Sequence, residues 1–165
     1  MIVLGVDPGT IITGYGFVRL EDGKQVLLEY GCIRPPKKAA LSDRYRIIYE
    51  DLDSLVKKFK PDAISVESQF MKNNFASVMK LGMAKAMVLL AGSCNQIPIY
   101  EYSPTKAKKA VVGNGRASKL QVQRMIQLLL NLPSLPEPED AADALSLAVC
   151  HLNTCNSHLE CGERI

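Results

Sequence analysis

The chain has 165 residues, of which 47% are hydrophobic and 22% charged, and its 20 basic and 17 acidic side chains leave a net charge of +3. This size and balance are typical of one globular domain with a proper core. A membrane span needs about 20 uninterrupted apolar residues, and no stretch of the chain approaches this length, so we expect none. The N-terminus also lacks the basic region and cleavage site of a signal peptide, so we expect a cytoplasmic protein.

The first third of the chain is predicted to form an antiparallel meander of three strands, over residues 2–7, 13–20 and 25–33. These apolar and alternating runs are bounded by turn residues, as strands usually are. Asp22-Gly23 separates the second run from the third and is a favoured hairpin-turn pair. The sequence therefore predicts that consecutive strands pair side by side.

A crossover unit is predicted next. An amphipathic helix capped by Ser42 and stopped by Pro61 has apolar residues at three- and four-residue steps. The apolar strand 63–67 follows. Strand, helix and strand in this order favour parallel pairing with the first strand of the meander.

A helix over residues 74–92 is predicted to be apolar nearly all the way round. Such a helix is either central in a large protein or shared with a partner. In a chain of this length we expect a symmetric homodimer through this helix, with Gly82 and Ala86 permitting close approach. Full burial inside the monomer is the alternative.

The remaining elements are a short strand at 97–101, a helix-prone basic stretch from Ser103, and two helices. Ser118 with Gln121 forms a capping box for the first of these helices, and the last helix covers about 139–152. The order of elements predicts an α/β fold around a mixed five-stranded sheet flanked by helices. We expect one domain over 1–152 and a flexible tail over 153–165.

The cysteine count argues against a disulfide framework, because five is odd and the spacing is not paired. Three cysteines share the end of the chain with His151 and His158, but without the CxxC pairs usual in zinc sites. We expect one buried thiol and a frayed tail. The cysteines are Cys32, Cys94, Cys150, Cys155 and Cys161.

Four carboxylates lie where a nuclease needs them. Asp7 and Glu67 each close an apolar strand, and Asp140 and Asp143 are three residues apart on one face of the last helix. Burying such acids is costly unless a positive group compensates. Mg²⁺ binds carboxylate oxygens, and a pair of ions about 4 Å apart can clamp both reacting oxygens of a phosphodiester. The pattern indicates metal-dependent phosphodiester hydrolysis.

Each acid also has a purely structural interpretation. A turn started by Asp7 is common, and an acid in the first turn, such as Asp140, stabilises the helix dipole. Asp143 lies one turn further in and needs another partner. Small neighbours on both sides indicate that the helix lies tightly on the sheet and presses its acids towards Asp7 and Glu67; these neighbours are Ala141, Ala142 and Ala144.

No acidic residue occurs between Glu101 and Glu137, and the basic residues there create a local positive field. Lys108 and Lys119, which flank a Gly-Asn-Gly turn, are candidates for phosphate contacts, although each could simply be solvated. Phe70 could fill the core or stack on a nucleobase. The basic residues are Lys106, Lys108, Lys109, Arg116, Lys119 and Arg124.

These motifs together resemble the RuvC-type Holliday-junction resolvases, from residue 1 to about His151. Each motif alone is weak, but four in register are specific. The carrying segments are Gly5-Val6-Asp7-Pro8-Gly9-Thr10 with Thr13-Gly14-Tyr15-Gly16, Val66-Glu67-Ser68-Gln69-Phe70, Val111-Val112-Gly113-Asn114-Gly115 and Asp140-Ala141-Ala142-Asp143-Ala144.

The resemblance implies an RNase H-like homodimer that resolves four-way DNA junctions by paired, symmetric nicks. It implies an Mg²⁺-dependent endodeoxyribonuclease with two ions per site, for which Mn²⁺ could substitute, and 5′-phosphate and 3′-hydroxyl products. It also implies a branch-migration helicase complex as partner. The implied metal ligands are Asp7, Glu67, Asp140 and Asp143, and the implied DNA contacts are Phe70, Lys108 and Lys119, to which the charge pattern adds Arg116, Lys106 and Lys109.

Two alternatives belong to other functional classes. In actin-like and sugar-kinase ATPases an Asp-x-Gly-Thr turn grips the nucleotide phosphate, but these proteins need a second, similar domain that 165 residues cannot hold. A catalytically inactive nucleic-acid-binding module is the other alternative. The presence of all four acids counts against it.

Overall fold

The structure, a computed structural model, describes residues 1–68, 75–156 and 162–165. Within these residues it is an α/β fold around one mixed six-stranded sheet with strand order β3-β2-β1-β4-β5-β6. The elements are β1 (Ile2–Asp7), β2 (Thr13–Glu21), β3 (Lys24–Ile33), α1 (Leu41–Phe59), β4 (Ala63–Glu67), α2 (Phe75–Cys94), β5 (Ile99–Tyr102), α3 (Pro104–Val112), α4 (Lys119–Leu129), α5 (Glu139–Asn156) and β6 (Glu163–Arg164).

The predicted meander and crossover are confirmed. β1 pairs antiparallel with β2, and β2 with β3, through a hairpin in which Asp22 and Gly23 have positive φ of 49° and 74°. These are the backbone angles of the tight hairpin turn that Asp-Gly favours. β4 returns parallel to β1, and β5 lies parallel to β4.

The prediction of five strands was one short, and the tail does not begin at residue 153. α5 continues to Asn156, and β6 adds an antiparallel edge strand in which Arg164 pairs with Tyr100. The backbone N–H of Gly162 donates to the Tyr102 hydroxyl at 2.9 Å and anchors the strand. Because β6 is two residues long and polar, it has no alternation from which a strand could be predicted.

The helix caps were predicted with mixed success. Ser118 and Gln121 form the predicted capping box of α4, with each side chain accepting from the other residue's backbone N–H. At α1 the prediction of a Ser42 cap was wrong. The cap position is Ala40, without a side-chain hydrogen bond, and the helix already begins at Leu41.

The sheet has a hydrophobic core on each face. One core joins the strands to α1 and α2 and contains Phe17, Ile48 and Leu52. The other core joins them to α4 and α5 and contains Ile126 and Leu145. A cavity lined by acidic residues lies on the α5 face.

Helix α2 is only partly covered. It buries Ala84, Val88 and Ala91 against the core, and the Tyr45 hydroxyl of α1 donates to its Lys80 carbonyl at 3.1 Å. By length and composition alone α2 could cross a membrane, but these contacts make it a helix of the folded domain. Full burial inside the monomer is excluded, because large apolar side chains remain exposed at Phe75, Met79, Leu81, Met83 and Leu90.

Three cysteines of the described residues are free thiols. Cys150 is a buried free thiol, as predicted, and Cys32 and Cys94 are also free. Cys155 is disulfide-bonded, which differs from the expectation drawn from the odd count.

Candidate active site

Asp7 and Glu67 are brought together by the parallel pairing of β1 and β4. Val6 lies opposite Val66 in this ladder, so the carboxyl ends of the two strands meet at one edge of the sheet. Since side chains alternate across a strand, Asp7 and Glu67 project to the same face. The two strand-end acids are therefore neighbours, as the sequence predicted.

Helix α5 approaches this face closely because two strand residues have no side chain. A Cβ on Gly5 would lie 1.9 Å from the Ala144 carbonyl oxygen, and one on Gly14 would lie 2.0 Å from the Asp140 carbonyl oxygen. The Ser65 hydroxyl, on β4, donates to the Leu147 carbonyl at 2.9 Å and ties the helix to the sheet. The predicted tight docking of the last helix is confirmed.

The docked helix completes a cavity of about 260 Å³ at the edge of the sheet. Three of the predicted acids line it, and two lysines from α3 and α4 face them. Asp140 is not part of the lining, but its negative charge helps to raise the pKa of both Asp7 and Asp143. The lining residues are Asp7, Glu67, Asp143, Lys108 and Lys119, with Pro104, Ala107, Ser146 and Leu147.

The acids in this cavity are held in a costly environment. Burial, followed by repulsion from Glu67, Asp143 and Asp140, raises the pKa of Asp7 from 3.8 to about 7. Burial and Asp143 also raise the pKa of Glu67, and burial raises the pKa of Asp143. Burial and mutual repulsion therefore favour the protonated form of these carboxylates when no cation compensates their charge.

Lys119 acts as a counter-ion for these acids. Its Nζ lies 3.3 Å from Asp143 Oδ2 and 3.1 Å from Glu139 Oε2. Partial burial lowers the pKa of Lys119, but attraction to Asp143 and Glu139 outweighs this effect and raises it overall. The sequence suggested a phosphate contact for Lys119 and did not indicate this pairing.

The donor set fits a hard divalent cation, because carboxylate oxygens that repel one another gain most from a shared positive charge. Asp7, Glu67 and Asp143 line one cavity, but their carboxylate groups do not meet at a single point. Within residues 1–68, 75–156 and 162–165, no three acidic, histidine or cysteine side chains are grouped tightly enough to hold a metal ion. A cation would therefore draw the acids together and compete with Lys119 for Asp143.

The profile of the family "Crossover junction endodeoxyribonuclease RuvC" matches residues 3–151. The chain belongs to this family. The RuvC protein of Protochlamydia amoebophila is 54% identical over 151 residues, covering 92% of this chain and 90% of the relative. The RuvC protein of Ruminiclostridium cellulolyticum is 44% identical over 154 residues, covering 93% of each.

Solved structures agree with this assignment. Thermus thermophilus RuvC in complex with a Holliday junction substrate superposes with a TM-score of 0.93 at 30% identity, covering 100% of this chain and 99% of that chain. The predicted RuvC-type fold and the function of a Holliday-junction-resolving endonuclease are confirmed. Neither alternative, the ATPase half domain or the inactive binding module, is favoured. RuvC-family nucleases are metal-dependent.

The predicted DNA-binding residues of this RuvC family member surround the cavity unevenly. Lys108 and Lys119 line it, whereas Lys109 and Arg116 are exposed outside the lining. The Nζ of Lys106 lies 5.1 Å from the centre of the Tyr102 ring. Phe70 lies outside the described residues.

Sequence reasoning missed a pair of charges next to the site. Lys85 on α2 is buried, and its Nζ pairs with Glu101 of β5. The positive charge of Lys85 also partly offsets the rise in the pKa of Glu67. A lysine in the middle of a mostly apolar helix was the available signal, because lysine is rarely buried without a partner. Its partner could not be found from local pattern, since it lies 16 residues away on a strand.

Proposed function

We propose that this chain cuts four-way DNA junctions with Asp7, Glu67, Asp140 and Asp143 as ligands for two Mg²⁺ ions, which Mn²⁺ could replace. The observation that carries the proposal is the single cavity shared by Asp7, Glu67 and Asp143, with Asp140 close enough to act on two of them. These acids come from distant parts of the chain. Their collection in one place costs free energy that a structural role does not repay.

Asp7 is central to the proposed chemistry. The negative charges of the other three acids all raise its pKa, so a cation placed beside Asp7 would relieve the most repulsion. Bound divalent ions would supply Lewis-acid chemistry, by stabilising charge on the phosphate and lowering the pKa of the attacking water. Hydrolysis would leave 5′-phosphate and 3′-hydroxyl ends.

The lysines of the cavity provide the proposed phosphate contacts. A cation held by Asp143 would replace Lys119 there, and the Nζ of Lys119 would then be available for a DNA phosphate. Lys108 faces the same cavity from α3. Exposed positive charges nearby would bind the DNA backbone without selecting a base sequence. We assign this role to Lys106, Lys109 and Arg116, and we assign stacking on a base to Phe70.

A homodimer through α2 is the proposed assembly. Five large apolar side chains of this helix are exposed in one copy of the chain, and such a surface is typical of an interaction site. A two-fold dimer presents two identical sites to a junction, so that each copy nicks one of two strands of like polarity. Membership of the family also leads us to propose a branch-migration helicase as partner and a cytoplasmic location.

The proposed function is tested with Asp7→Asn, which removes the charge of the central ligand at nearly constant shape. We expect no nicking of a synthetic four-way junction in Mg²⁺, while junction binding in low salt persists. Asp22→Asn is the matched control: this exposed hairpin residue has positive φ, which asparagine also tolerates. Nicking by Asp7→Asn at the rate of the control would refute the assignment.

A further inference from the structure

A buried ion pair lies next to the proposed site but outside its cavity. Lys85, in the middle of α2, is 9% exposed, and its Nζ contacts the Oε1 of Glu101 on β5. The side chain of Lys85 is 11% exposed and that of Glu101 is 22% exposed. Since a charge so far removed from water must be compensated by its partner, neither residue belongs to the solvated surface.

The pair is connected to Glu67 by a short series of backbone contacts. In the parallel ladder of β4 and β5, Glu101 lies opposite Val66 and Tyr102 lies opposite Glu67. The backbone N–H of Ser68 then donates to the Tyr102 carbonyl at 2.9 Å. The strand end that carries Glu67 is therefore tied to the strand end that carries Glu101, and Glu101 is tied to α2 by Lys85.

Lys85 differs from the other lysines that act on Glu67. Lys119 and Lys108 line the cavity, where a bound cation would compete with them for the acids and a DNA phosphate would bind them. Lys85 belongs to α2, which packs on the opposite face of the sheet, and Glu101 holds it in place. The attraction between Lys85 and Glu67 therefore persists when a cation or DNA occupies the cavity.

We propose that Lys85 is a positioning residue for Glu67. Paired with Glu101, it fixes the ends of β4 and β5 against α2, so that Glu67 is held towards Asp7 across the cavity. Lys85 touches neither DNA nor cation in this role. The inference rests on the proposed function of Glu67 as a ligand for the divalent cation.

The test compares cation binding by variants of the full-length chain. Lys85→Met removes the charge but keeps the length of the side chain, and Lys85→Arg keeps the charge. Lys80→Met is the matched control, because Lys80 is exposed on the same helix. Mn²⁺ binding is measured by titration calorimetry, at a temperature where circular dichroism and thermal unfolding show each variant to be folded.

We expect Lys85→Met to weaken Mn²⁺ binding by about tenfold, which is typical when the support of a metal ligand is removed. Lys85→Arg should recover most of the affinity, and Lys80→Met should match the wild type. If Lys85→Met does not fold, Glu101→Gln replaces it, with the same loss expected. A folded variant of the pair that binds Mn²⁺ as tightly as the wild type would overturn the inference, even if its melting temperature falls.

Failure of the inference and failure of the proposed function give different results. If Asp7→Asn loses Mn²⁺ binding and Lys85→Met does not, only the positioning role is overturned. If the wild type binds Mn²⁺ but does not nick a junction, the proposed function fails, and the comparison of Lys85→Met with Lys80→Met still decides the role of Lys85. A wild-type chain that binds no Mn²⁺ would overturn both.

Discussion

The two faces of the sheet are packed in different ways. On the α1 and α2 face, large side chains such as Phe17, Ile48 and Leu52 fill the space between helix and strand. On the α5 face, Gly5 and Gly14 allow the backbone of the helix to lie directly against the strands. Both faces bury apolar area, but the α5 face also brings backbone atoms of helix and strand into direct contact.

This difference explains why the acids are found on the α5 face. A helix that meets the sheet through flexible side chains can shift when those side chains change, because cores tolerate repacking. A helix in backbone contact with the strands cannot move closer to them or slide across them without a clash. Asp140 and Asp143 are therefore positioned relative to Asp7 and Glu67 by contacts that have little freedom.

The largest loss of stability is expected on the α1 and α2 face. Leu52→Ala removes a side chain that is 1% exposed, and such changes cost about 2–5 kcal/mol because they lose burial and leave a cavity. Urea unfolding monitored by circular dichroism measures the cost. The rate of junction nicking per folded molecule should be unchanged. A reduced rate at full folding would show that the two faces are not separable in this way.

A smaller loss of stability with a larger loss of activity is expected on the α5 face. Gly5→Ala forces a methyl group against the Ala144 carbonyl, and overpacking of this kind costs about 1–3 kcal/mol. Because α5 must move away from the sheet, nicking per folded molecule should fall sharply. Gly31→Ala is the control, since the three atoms nearest its methyl group belong to the end of the Tyr15 side chain, which can move aside, and not to a helix backbone. Equal nicking by both variants would contradict the argument.

The same contrast decides how much could be predicted from the sequence. Asp7 and Glu67 could be identified because each ends an apolar strand, and the position of the last helix followed from the alanines around Asp143. Local pattern gave no indication that Lys119 pairs with Asp143 or that Lys85 pairs with Glu101. These contacts depend on which elements meet in space, and only the folded chain determines that.

Protonation of Asp7 makes the stability of the metal-free protein depend on pH. Since the folded pKa of about 7 lies above the ordinary 3.8, the stabilisation by this proton is complete below pH 3.8 and is lost as pH rises through 7. After solvent screening we expect an effect on the order of 1 kcal/mol. Asp7→Asn should therefore become more stable relative to the wild type as pH rises.

Chemical unfolding in EDTA at several pH values measures this difference. Comparison with the variant isolates Asp7, because His151 contributes equally to both proteins. Burial lowers the pKa of His151 to about 4, so its neutral form stabilises the fold above pH 6.5 and this contribution is lost as pH falls through 4. Parallel pH profiles for wild type and variant would contradict the raised pKa of Asp7, which burial and repulsion from the other acids produce together.

The smallest effect on stability is expected on the exposed side of α2, where assembly should change instead. Met83 is 43% exposed, and surface substitutions usually alter the free energy of unfolding by less than about 0.5 kcal/mol. Met83→Lys would place a charge inside the proposed two-fold contact, where its copy from the second subunit repels it. Light scattering should give a dimer for the wild type and a monomer for the variant.

Leu128→Lys is the matched control for this change. Leu128 on α4 is 73% exposed and also apolar, but it does not belong to the α2 surface. We expect it to leave the dimer intact, so a general loss of surface hydrophobicity cannot explain a monomeric Met83→Lys. The opposite outcome would be a dimeric Met83→Lys and a monomeric Leu128→Lys. It would show that the subunits meet through the face of the sheet that carries α4 and α5, and the proposed dimer through α2 would be wrong.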